Sequence, residues 1–207
     1  MLIDDFRSTL QKYLSQTVTA AQQEKLAQFL VLLSKWNKIY NLTAITDSRE
    51  MVVKHILDSL SVAPYLHGER IVDVGTGAGL PGIPLAIILP DRQFTLLDSN
   101  GKKTRFLKQT LLELCMENIE IVHERAENYH PEYCFDTVVT RAFASIPDML
   151  SATQHLCCEN GLFLAMKGAD PSDDLKTINK EFVVNKVIPL TVPGLNAERH
   201  VAAIKRM

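Results

Sequence analysis

The first third of the chain carries hydrophobic residues at helical spacing. After Thr19, which forms a predicted capping box with Gln22, apolar residues recur in steps of three and four. These residues are Leu26, Phe29, Leu30, Leu33, Trp36 and Tyr40. A second amphipathic helix is predicted from about Asp47 to Val62, and Pro64 ends it. We therefore predict that residues 1–68 form a helical extension packed on a separate core.

From residue 69 onward, short runs rich in branched residues alternate with helix-length segments. The predicted strands are Arg70–Val74, Phe94–Leu97, Ile119–His123, Thr137–Val139 and Leu162–Met166. The predicted helices are Gly82–Leu89, Lys102–Met116, Ile146–Cys157 and Ser172–Lys180. This alternation predicts an α/β fold with a parallel sheet and helices on both faces.

The chain ends on two further strand-like runs. Val183–Val192 and His200–Lys205 flank the turn-rich segment Pro193–Asn196, so they predict an antiparallel hairpin at the edge of the sheet. The sheet then has seven strands. No linker separates two domains, so we expect residues 69–207 and the helical extension to form a single structural domain.

Composition narrows the class of partner and the compartment. The chain has 207 residues, with 22 Lys+Arg against 24 Asp+Glu, so an RNA would have to be bound by a local basic patch. The four cysteines form no C-x-x-C pair and no zinc-like spacing with histidine, so we expect reduced thiols and no metal. The acidic start of the chain and the lack of a long apolar run predict a soluble, cytoplasmic protein without a membrane segment.

The strongest local motif is the glycine-rich segment that follows the first strand. Gly75, Gly77 and Gly79 let the backbone turn sharply and approach a ligand, although a plain strand-to-helix turn is an alternative. Gly77-x-Gly79-x-x-Gly82 also matches the dinucleotide fingerprint. Asp73 argues against that ligand, because its carboxylate would repel a pyrophosphate. An ammonium and a sulfonium would be attracted, which favours S-adenosylmethionine held by Asp73, Gly75 and Gly77.

The ends of the next strands supply further candidates for the cofactor. Asp98 ends the second strand, where an acid can accept the ribose hydroxyls, unless it caps the following helix. The third strand leads to Ala126 and Glu127, which suit the adenine edge, and the fourth leads to Arg141. In a doubly wound sheet all these positions lie at the ligand-binding carboxyl edge.

Several segments resemble one family over nearly the whole chain. They are Lys35–Thr43, His55–Ser59, Asp73–Gly82, Arg141–Ala144, Met166–Gly168 and Glu198–His200. The chain resembles the class I methyltransferases, which are Rossmann-like, and more specifically the bacterial RsmG (GidB) family of 16S rRNA 7-methylguanosine methyltransferases. Ala78 and Lys103 depart from the family's usual residues without unsettling the match.

The resemblance implies a methyl donor, a substrate and a set of contacts. It implies transfer of a methyl group from S-adenosylmethionine to N7 of a guanosine in the decoding region of 16S rRNA. The cofactor would be held by Gly75, Leu80, Ala126, Glu127 and Arg141, with Asp98 on the ribose. Whether the substrate is free rRNA, an assembly intermediate or the 30S subunit is left open.

The sequence lacks the motifs that methyltransferases use for other target atoms, which agrees with methylation at N7. The fourth strand does not run into the Asn/Asp-Pro-Pro-aromatic segment of amine methyltransferases, and no cysteine follows a proline as in pyrimidine C5 enzymes. The lone pair of N7 needs no general base, so we predict no dedicated catalytic residue. Positioning alone can then supply the catalysis, and we expect Arg141 or Lys167 to bond O6 of the guanine.

The candidate RNA contacts share a place at strand ends, in the loops after them, or at the start of the helix after Asp98. They are Lys102, Arg105, Arg125, Phe143, Lys167, Arg199 and His200. Phe143 is the candidate for stacking on the target base. The charged residues could instead be ordinary solvent-exposed residues without a role in binding. His55, Trp36 and Tyr40 are predicted to be structural.

Two other functions stay open at this point. One is a methyltransferase acting on a small molecule or a protein, and the other is a catalytically silent RNA-binding module that kept the fold. The intact Asp73, glycine loop and Asp98 weigh against the silent module. We expect a monomer, because no heptad pattern suggests self-association.

Overall fold

In a computed structural model, residues 2–141 and 143–207 can be described, so Ala142 of the Arg141–Ala144 segment lies outside the described residues. The α-helices are α1 (Leu2–Leu14), α2 (Ala20–Tyr40), α3 (Ser48–Met51), α4 (Asp58–Leu60), α5 (Gly82–Ile88), α6 (Gly101–Leu114), α7 (Ile146–Thr153) and α8 (Ser172–Leu175). A π-helix joins α3 to α4, and three 3₁₀ turns cover Ala63–Tyr65, Ala126–Asn128 and Gln154–Leu156.

Within the described residues, seven strands form one mixed sheet, which confirms the predicted fold class. They are β1 (Arg70–Val74), β2 (Gln93–Leu97), β3 (Ile119–Val122), β4 (Phe135–Thr140), β5 (Cys157–Lys167), β6 (Phe182–Pro189) and β7 (His200–Arg206). Their order is β3-β2-β1-β4-β5-β7-β6. The first five strands pair in parallel, and β7 inserts antiparallel between β5 and β6. The carboxyl ends of β1, β2, β3, β4 and β5 therefore meet at one edge.

The helical extension differs from the sequence prediction at its start. Helix α1 was not predicted, although Phe6, Leu10 and Leu14 repeat every four residues and are buried. The helix is short, and its buried residues pack mainly on α2, which supplies stability that a short isolated helix lacks.

The second predicted helix is present, but its middle is wider than an α-helix. Residues Val52–Leu57 form a π-helical turn between α3 and α4. π-helical turns re-aim side chains and are frequent at functional sites. Here the turn precedes Asp58, a buried residue at the start of α4.

The boundaries also shift around β5. The predicted helix Ile146–Cys157 ends as α-helix at Thr153, and β5 begins already at Cys157, where it pairs with Phe135 of β4. Tertiary pairing overrides the local pattern there. Helix α8 ends at Leu175 instead of near Lys180.

The expectation of four reduced thiols is wrong for two of them. Cys134 and Cys158 form a disulfide, while Cys115 and Cys157 are free. The pairing is tertiary, because parallel β4 and β5 begin side by side and bring residues 24 positions apart into contact. Burial raises the pKa of the neighbouring Cys157 thiol to about 12.

The helical extension and the sheet share one hydrophobic cluster. Phe29 of α2 packs against Phe106 of α6, with ring centroids 6.4 Å apart. Phe6, Leu10 and Leu30 belong to the same buried cluster as Leu96 of β2. A second cluster covers the other face of the sheet, beneath α7. The boundary at residue 68 stays a prediction.

Within residues 2–141 and 143–207, no helix has the length and apolar character needed to cross a membrane. The same part of the chain contains no group of three or more His, Cys, Asp or Glu side chains that could hold a metal ion.

Candidate active site

Asp73, on the core side of the glycine loop that follows β1, holds this loop through hydrogen bonds. This residue is fully buried, and its Oδ2 accepts hydrogen bonds from the Thr76 hydroxyl at 2.7 Å and from the Gly82 backbone N–H at 2.8 Å. From the far side, the backbone N–H of Gly75 donates to the Leu97 carbonyl at 2.8 Å. Asp73 thus ties the start of the loop to the start of α5.

Burial raises the pKa of the Asp73 carboxyl to about 6, although the bonds from Thr76 and Gly82 oppose the rise. Its Oδ1 has no hydrogen-bond partner among the described residues. A buried carboxylate oxygen without a donor keeps the loop's surroundings negative, which favours a cationic ligand.

Close packing fixes the glycine at the end of the motif. A Cβ at Gly82 would overlap the Leu96 side chain and lie 2.9 Å from Asp73 Oδ2. At Gly77, by contrast, a Cβ would meet mainly open space, with the Lys103 ammonium 3.8 Å away. The loop is therefore tight toward the core and open toward the carboxyl edge of the sheet.

A cavity of about 300 Å³ opens above the loop; we term it the glycine-loop cavity. It is lined by Val74, Gly75, Leu97, Asp98, Ser99, Lys103, Glu124, Arg125, Ala126, Glu127 and Phe143. The lining combines apolar side chains with three carboxylates, two basic side chains and the backbone of two loops. Such a mixture suits a nucleoside that carries positive charge.

Asp98 stands at the centre of this cavity's acidic wall. Its Oδ2 accepts from the Gly77 backbone N–H and its Oδ1 from the Asn100 backbone N–H, both at 2.8 Å. Lys103 Nζ lies 3.7 Å from Oδ2. The N-cap of α6 is Asn100, whose side chain accepts from the backbone of Lys102 and Lys103, so the alternative role of Asp98 as that N-cap is wrong.

A second cavity, of about 480 Å³, adjoins the first; we term it the basic cavity. It is lined by Ile45, Lys54, His55, Asp58, Arg141, Phe143, Ala144, Met166, Lys167, Gly168, Leu190, Arg199 and His200. Phe143 lines both cavities.

Three charged residues that line the basic cavity form a triad of ion pairs. Asp58, only 2% exposed, accepts from Arg141 Nη1 at 3.0 Å and from Arg199 Nε at 2.8 Å. The three residues come from α4, the loop after β4 and the loop before β7. Because β7 runs antiparallel to β5, the triad joins the helical extension to two strand ends at one edge of the sheet.

His55 lies beside the triad. Burial, reinforced by the positive charge of Arg141, lowers the pKa of His55 to about 4, so the imidazole is neutral at pH 7. Its Nε2 lies 2.9 Å from the Thr43 hydroxyl, while its Nδ1 has no partner among the described residues. The contact with Thr43 agrees with the predicted structural role.

Lys167 holds the loop that carries Phe143. Its ammonium lies 2.9 Å from Asp174 Oδ2 and donates to the backbone carbonyls of Ala144 at 2.6 Å and Phe143 at 3.4 Å. These three acceptors use its three donors. In this structure Lys167 fixes the position of Phe143, and a bond from Lys167 to the guanine stays a prediction.

Two of the solved structures that resemble this chain have low sequence identity to it. TrmN from Thermus thermophilus has a TM-score of 0.59 and 15% identity, over 84% of this chain and 52% of that chain. TYW2 of M. jannaschii, in complex with AdoMet, has a TM-score of 0.55 and 14% identity, over 72% and 77%. At these identities the likeness concerns the fold alone.

The family model for rRNA small subunit methyltransferase G (GidB) matches residues 22–202. The chain belongs to this family. The relative from Psychromonas ingrahamii, ribosomal RNA small subunit methyltransferase G, is 53% identical over 201 residues, covering 96% of this chain and 97% of the relative. The relative of the same name from Escherichia coli O1:K1 is 51% identical over 198 residues, covering 96% of both.

Membership in the rRNA small subunit methyltransferase G family confirms the resemblance found in the sequence. It also confirms, for the family, the predicted class of methyltransferase that uses S-adenosylmethionine. The residues of the glycine-loop cavity fit that group, because acidic side chains, apolar side chains and open glycine backbone line the same pocket.

The predicted site residues of this family member divide into three groups. Gly75, Asp98, Arg125, Ala126, Glu127 and Phe143 line the glycine-loop cavity, whereas Arg141, Phe143, Lys167, Arg199 and His200 line the basic cavity. Asp73, Gly77, Leu80, Lys102 and Arg105 line neither. Asp73 and Leu80 are buried beneath the loop, and Lys102 and Arg105 are exposed on α6. Direct contacts of all these residues with a ligand stay predictions.

Sequence reasoning missed the contribution of the helical extension to the site. Lys54, Asp58 and Ile45 line the basic cavity but were not predicted as site residues. Asp58 lies in the His55–Ser59 segment that carries the family resemblance, and this resemblance was a sequence feature that could have marked Asp58 as a site residue. A lone acid in an amphipathic helix gave no physical reason to expect two arginine partners.

Proposed function

We propose that this protein transfers a methyl group from S-adenosylmethionine to N7 of a guanosine in the decoding region of 16S rRNA. The observation that carries the proposal is the meeting of an acidic nucleoside pocket and a basic cavity at one residue, Phe143. One cavity suits the cofactor and the other suits a base with its phosphates. The target would be the 30S subunit or an assembly intermediate in the cytoplasm, and we propose that the chain acts as a monomer.

The lining of the glycine-loop cavity supports the proposed cofactor contacts. When bound, S-adenosylmethionine supplies an electrophilic methyl group on a sulfonium. Asp98 and Glu127 offer carboxylates to the ribose hydroxyls and the adenine edge, respectively, and the Ala126 N–H offers a backbone donor. Gly75 gives access to backbone without a side chain.

The lining of the basic cavity supports the proposed contacts with the base. Phe143, half-buried between the cavities, offers a ring on which the guanine stacks. Arg141 offers guanidinium N–H groups to O6, beside the attacking N7. The lone pair of N7 attacks without losing a proton, so these residues orient the base and exclude water, and no general base is required.

The test is transfer of labelled methyl groups from S-adenosylmethionine to rRNA from a strain that lacks this protein. Protein-free 16S rRNA, an assembly intermediate and 30S particles are assayed in parallel, and mass spectrometry identifies the methylated nucleoside. We expect label in 7-methylguanosine at a single site, and the ratio of rates identifies the preferred form of the substrate.

Two results would contradict the proposal. Label in another nucleoside would refute attack by N7 while leaving rRNA methylation intact. No label on any of the three RNAs, despite binding of S-adenosylmethionine, would refute rRNA as the substrate and favour a small molecule or a protein instead.

A further inference from the structure

The carboxylate of Asp58 is shared by two guanidinium groups. Arg141 Nη1 bonds one oxygen at 3.0 Å, and Arg199 Nε bonds the other at 2.8 Å. Arg141 Nη1 also lies 3.4 Å from the Lys54 backbone carbonyl, which belongs to the π-helical turn. Both arginines are thereby held against the helical extension, in fixed positions on the wall of the basic cavity.

The charges of this triad do not cancel. The Asp58 carboxylate contacts two arginines, whereas each of the two lysines that line the cavity pairs with a carboxylate of its own. Lys54 pairs with Glu50 at 2.8 Å, and Lys167 pairs with Asp174 at 2.9 Å. Among the described residues, the triad's direct ion pairs therefore hold one more positive than negative charge, although the buried Asp73 also acts on Arg141 electrostatically. A partly buried, unbalanced guanidinium favours an anionic ligand.

Arg199 is the arginine best placed to meet that anion. Its Nε is taken by Asp58 and its Nη1 donates to the Glu198 carbonyl at 2.7 Å, but its Nη2 has no partner among the described residues. The side chain is 24% exposed and lines the cavity beside His200. Its rigid planar fork can therefore present a free edge to an oxyanion.

We propose that Asp58 is a positioning residue, fixed by Arg141, that presents Arg199 to a backbone phosphate of the RNA next to the target guanosine. The inference rests on the proposed function, because a phosphate must accompany any base stacked on Phe143. It gives the helical extension a part in substrate binding. A guanidinium held in place loses less side-chain entropy on binding than a free one.

Replacement of Asp58 by asparagine gives opposite expectations for two roles of Arg199. If the arginines acted only through their charge, D58N would remove a negative charge from the cavity and strengthen RNA binding. If Asp58 positions Arg199, D58N weakens binding. We expect kcat/KM for the RNA to fall roughly 10- to 100-fold, as for loss of one charge-assisted hydrogen bond. The Kd of S-adenosylmethionine should change less than about threefold, within one weak contact.

The R199Q variant tests the same contact without touching the buried carboxylate, so it decides the matter if D58N does not fold. We expect a higher KM for RNA and a plot of log KM against log salt with a slope smaller by about one, as for loss of one phosphate contact. The control is E24Q, which breaks a similar two-pronged pair of Glu24 with Arg7, at 2.8 and 2.7 Å and remote from both cavities. It should leave KM and the slope unchanged.

Inorganic phosphate separates failure of this inference from failure of the proposed function. We expect phosphate to raise the melting temperature of wild type more than that of R199Q. Protection by phosphate with no methylation of any rRNA would refute the proposed function and leave the anion site. Normal kcat/KM in both D58N and R199Q, or a loss confined to the Kd of S-adenosylmethionine, would overturn the inference while rRNA methylation stands.

Discussion

At the scale of single residues, the geometry of this site depends on buried carboxylates. Asp73, Asp98 and Asp58 are each no more than 6% exposed, and each accepts hydrogen bonds from groups on other segments. Buried carboxylates are costly unless they are bonded, so each one fixes the position of its donors. The glycine loop and the two arginines are ordered in this way.

Stability should depend on pH through Asp73. Its folded-state pKa, about 6, exceeds the ordinary value of 3.8, so the folded protein binds this proton more tightly than the unfolded chain does. Asp73 thus favours folding at low pH, and that contribution is lost as the pH rises from about 4 to about 6. Relative to D73N, we expect the free energy of unfolding of wild type to fall by on the order of 3 kcal/mol across this window.

Urea unfolding of wild type and D73N at several pH values measures this difference. The matched control is Asp91→Asn, which removes an exposed carboxylate in the same way. A wild-type-minus-D73N difference that stays flat between pH 4 and 6 would show that Asp73 does not carry the effect.

Phe143 gives a second prediction at the residue scale. Because its ring lines both cavities, F143A should lower kcat/KM for RNA roughly 5- to 100-fold, as expected for loss of base stacking. F143W keeps an aromatic face and should retain most of the rate. The measurement is the initial rate against RNA concentration, with cofactor binding followed separately. Unchanged turnover in F143A would end the stacking assignment.

At the scale of elements, the first turn of α2 contributes a hydrogen-bonded contact between this helix and α5. Gln22 completes the capping box with Thr19, at 3.1 Å from the Thr19 N–H, and its Nε2 also donates to the carbonyls of Ile87 and Ile88 at 3.2 Å. The same side chain therefore begins one helix and satisfies the end of α5.

The two capping residues should differ in their effect on stability. We expect T19A to cost about 1 kcal/mol as a lost cap. Q22A should cost about 2 kcal/mol or more, because buried carbonyls also lose a donor. Chemical denaturation measures both, with Gln28→Ala as the control on the same helix, since Gln28 bonds only Glu24. Equal costs for T19A and Q22A would mean that the contact with α5 contributes nothing.

At the scale of the whole molecule, the two edges of the sheet have separate roles. Both cavities lie at the carboxyl ends of the parallel strands, whereas the Cys134–Cys158 disulfide lies where β4 and β5 begin. Disulfides are rare in the reducing cytoplasm, which is the compartment that we propose. The site should therefore work with the pair open.

Reduction of the disulfide should change stability without changing the chemistry. The chain-entropy model predicts that opening a loop of this length lowers the free energy of unfolding by about 3 kcal/mol. The C134S/C158S double variant should match the reduced wild type, and C115S, which alters an exposed free thiol, should match the oxidised one. Methyl transfer should be equal in all of them. A loss of rate on reduction would show coupling between the two edges.

The sequence alone determined the elements whose signal is local. Alternating strands and helices predicted the seven-stranded sheet, and the strand-glycine-helix pattern placed Gly75, Asp98, Ala126 and Glu127 correctly at one edge. These predictions hold because periodicity and strand ends follow from the backbone itself. Helix α1 escaped prediction because its stability comes from packing on α2.

Only the tertiary structure decided the contacts between distant segments. The disulfide joins residues 24 positions apart, and the triad of Asp58, Arg141 and Arg199 spans 141 positions. Lys167, one of two residues predicted to bond the base, contacts Asp174 and the carbonyls of Phe143 and Ala144, which the sequence did not indicate. A charged side chain in a sequence has many possible partners, and its burial and neighbours, which select among them, exist only in the folded chain.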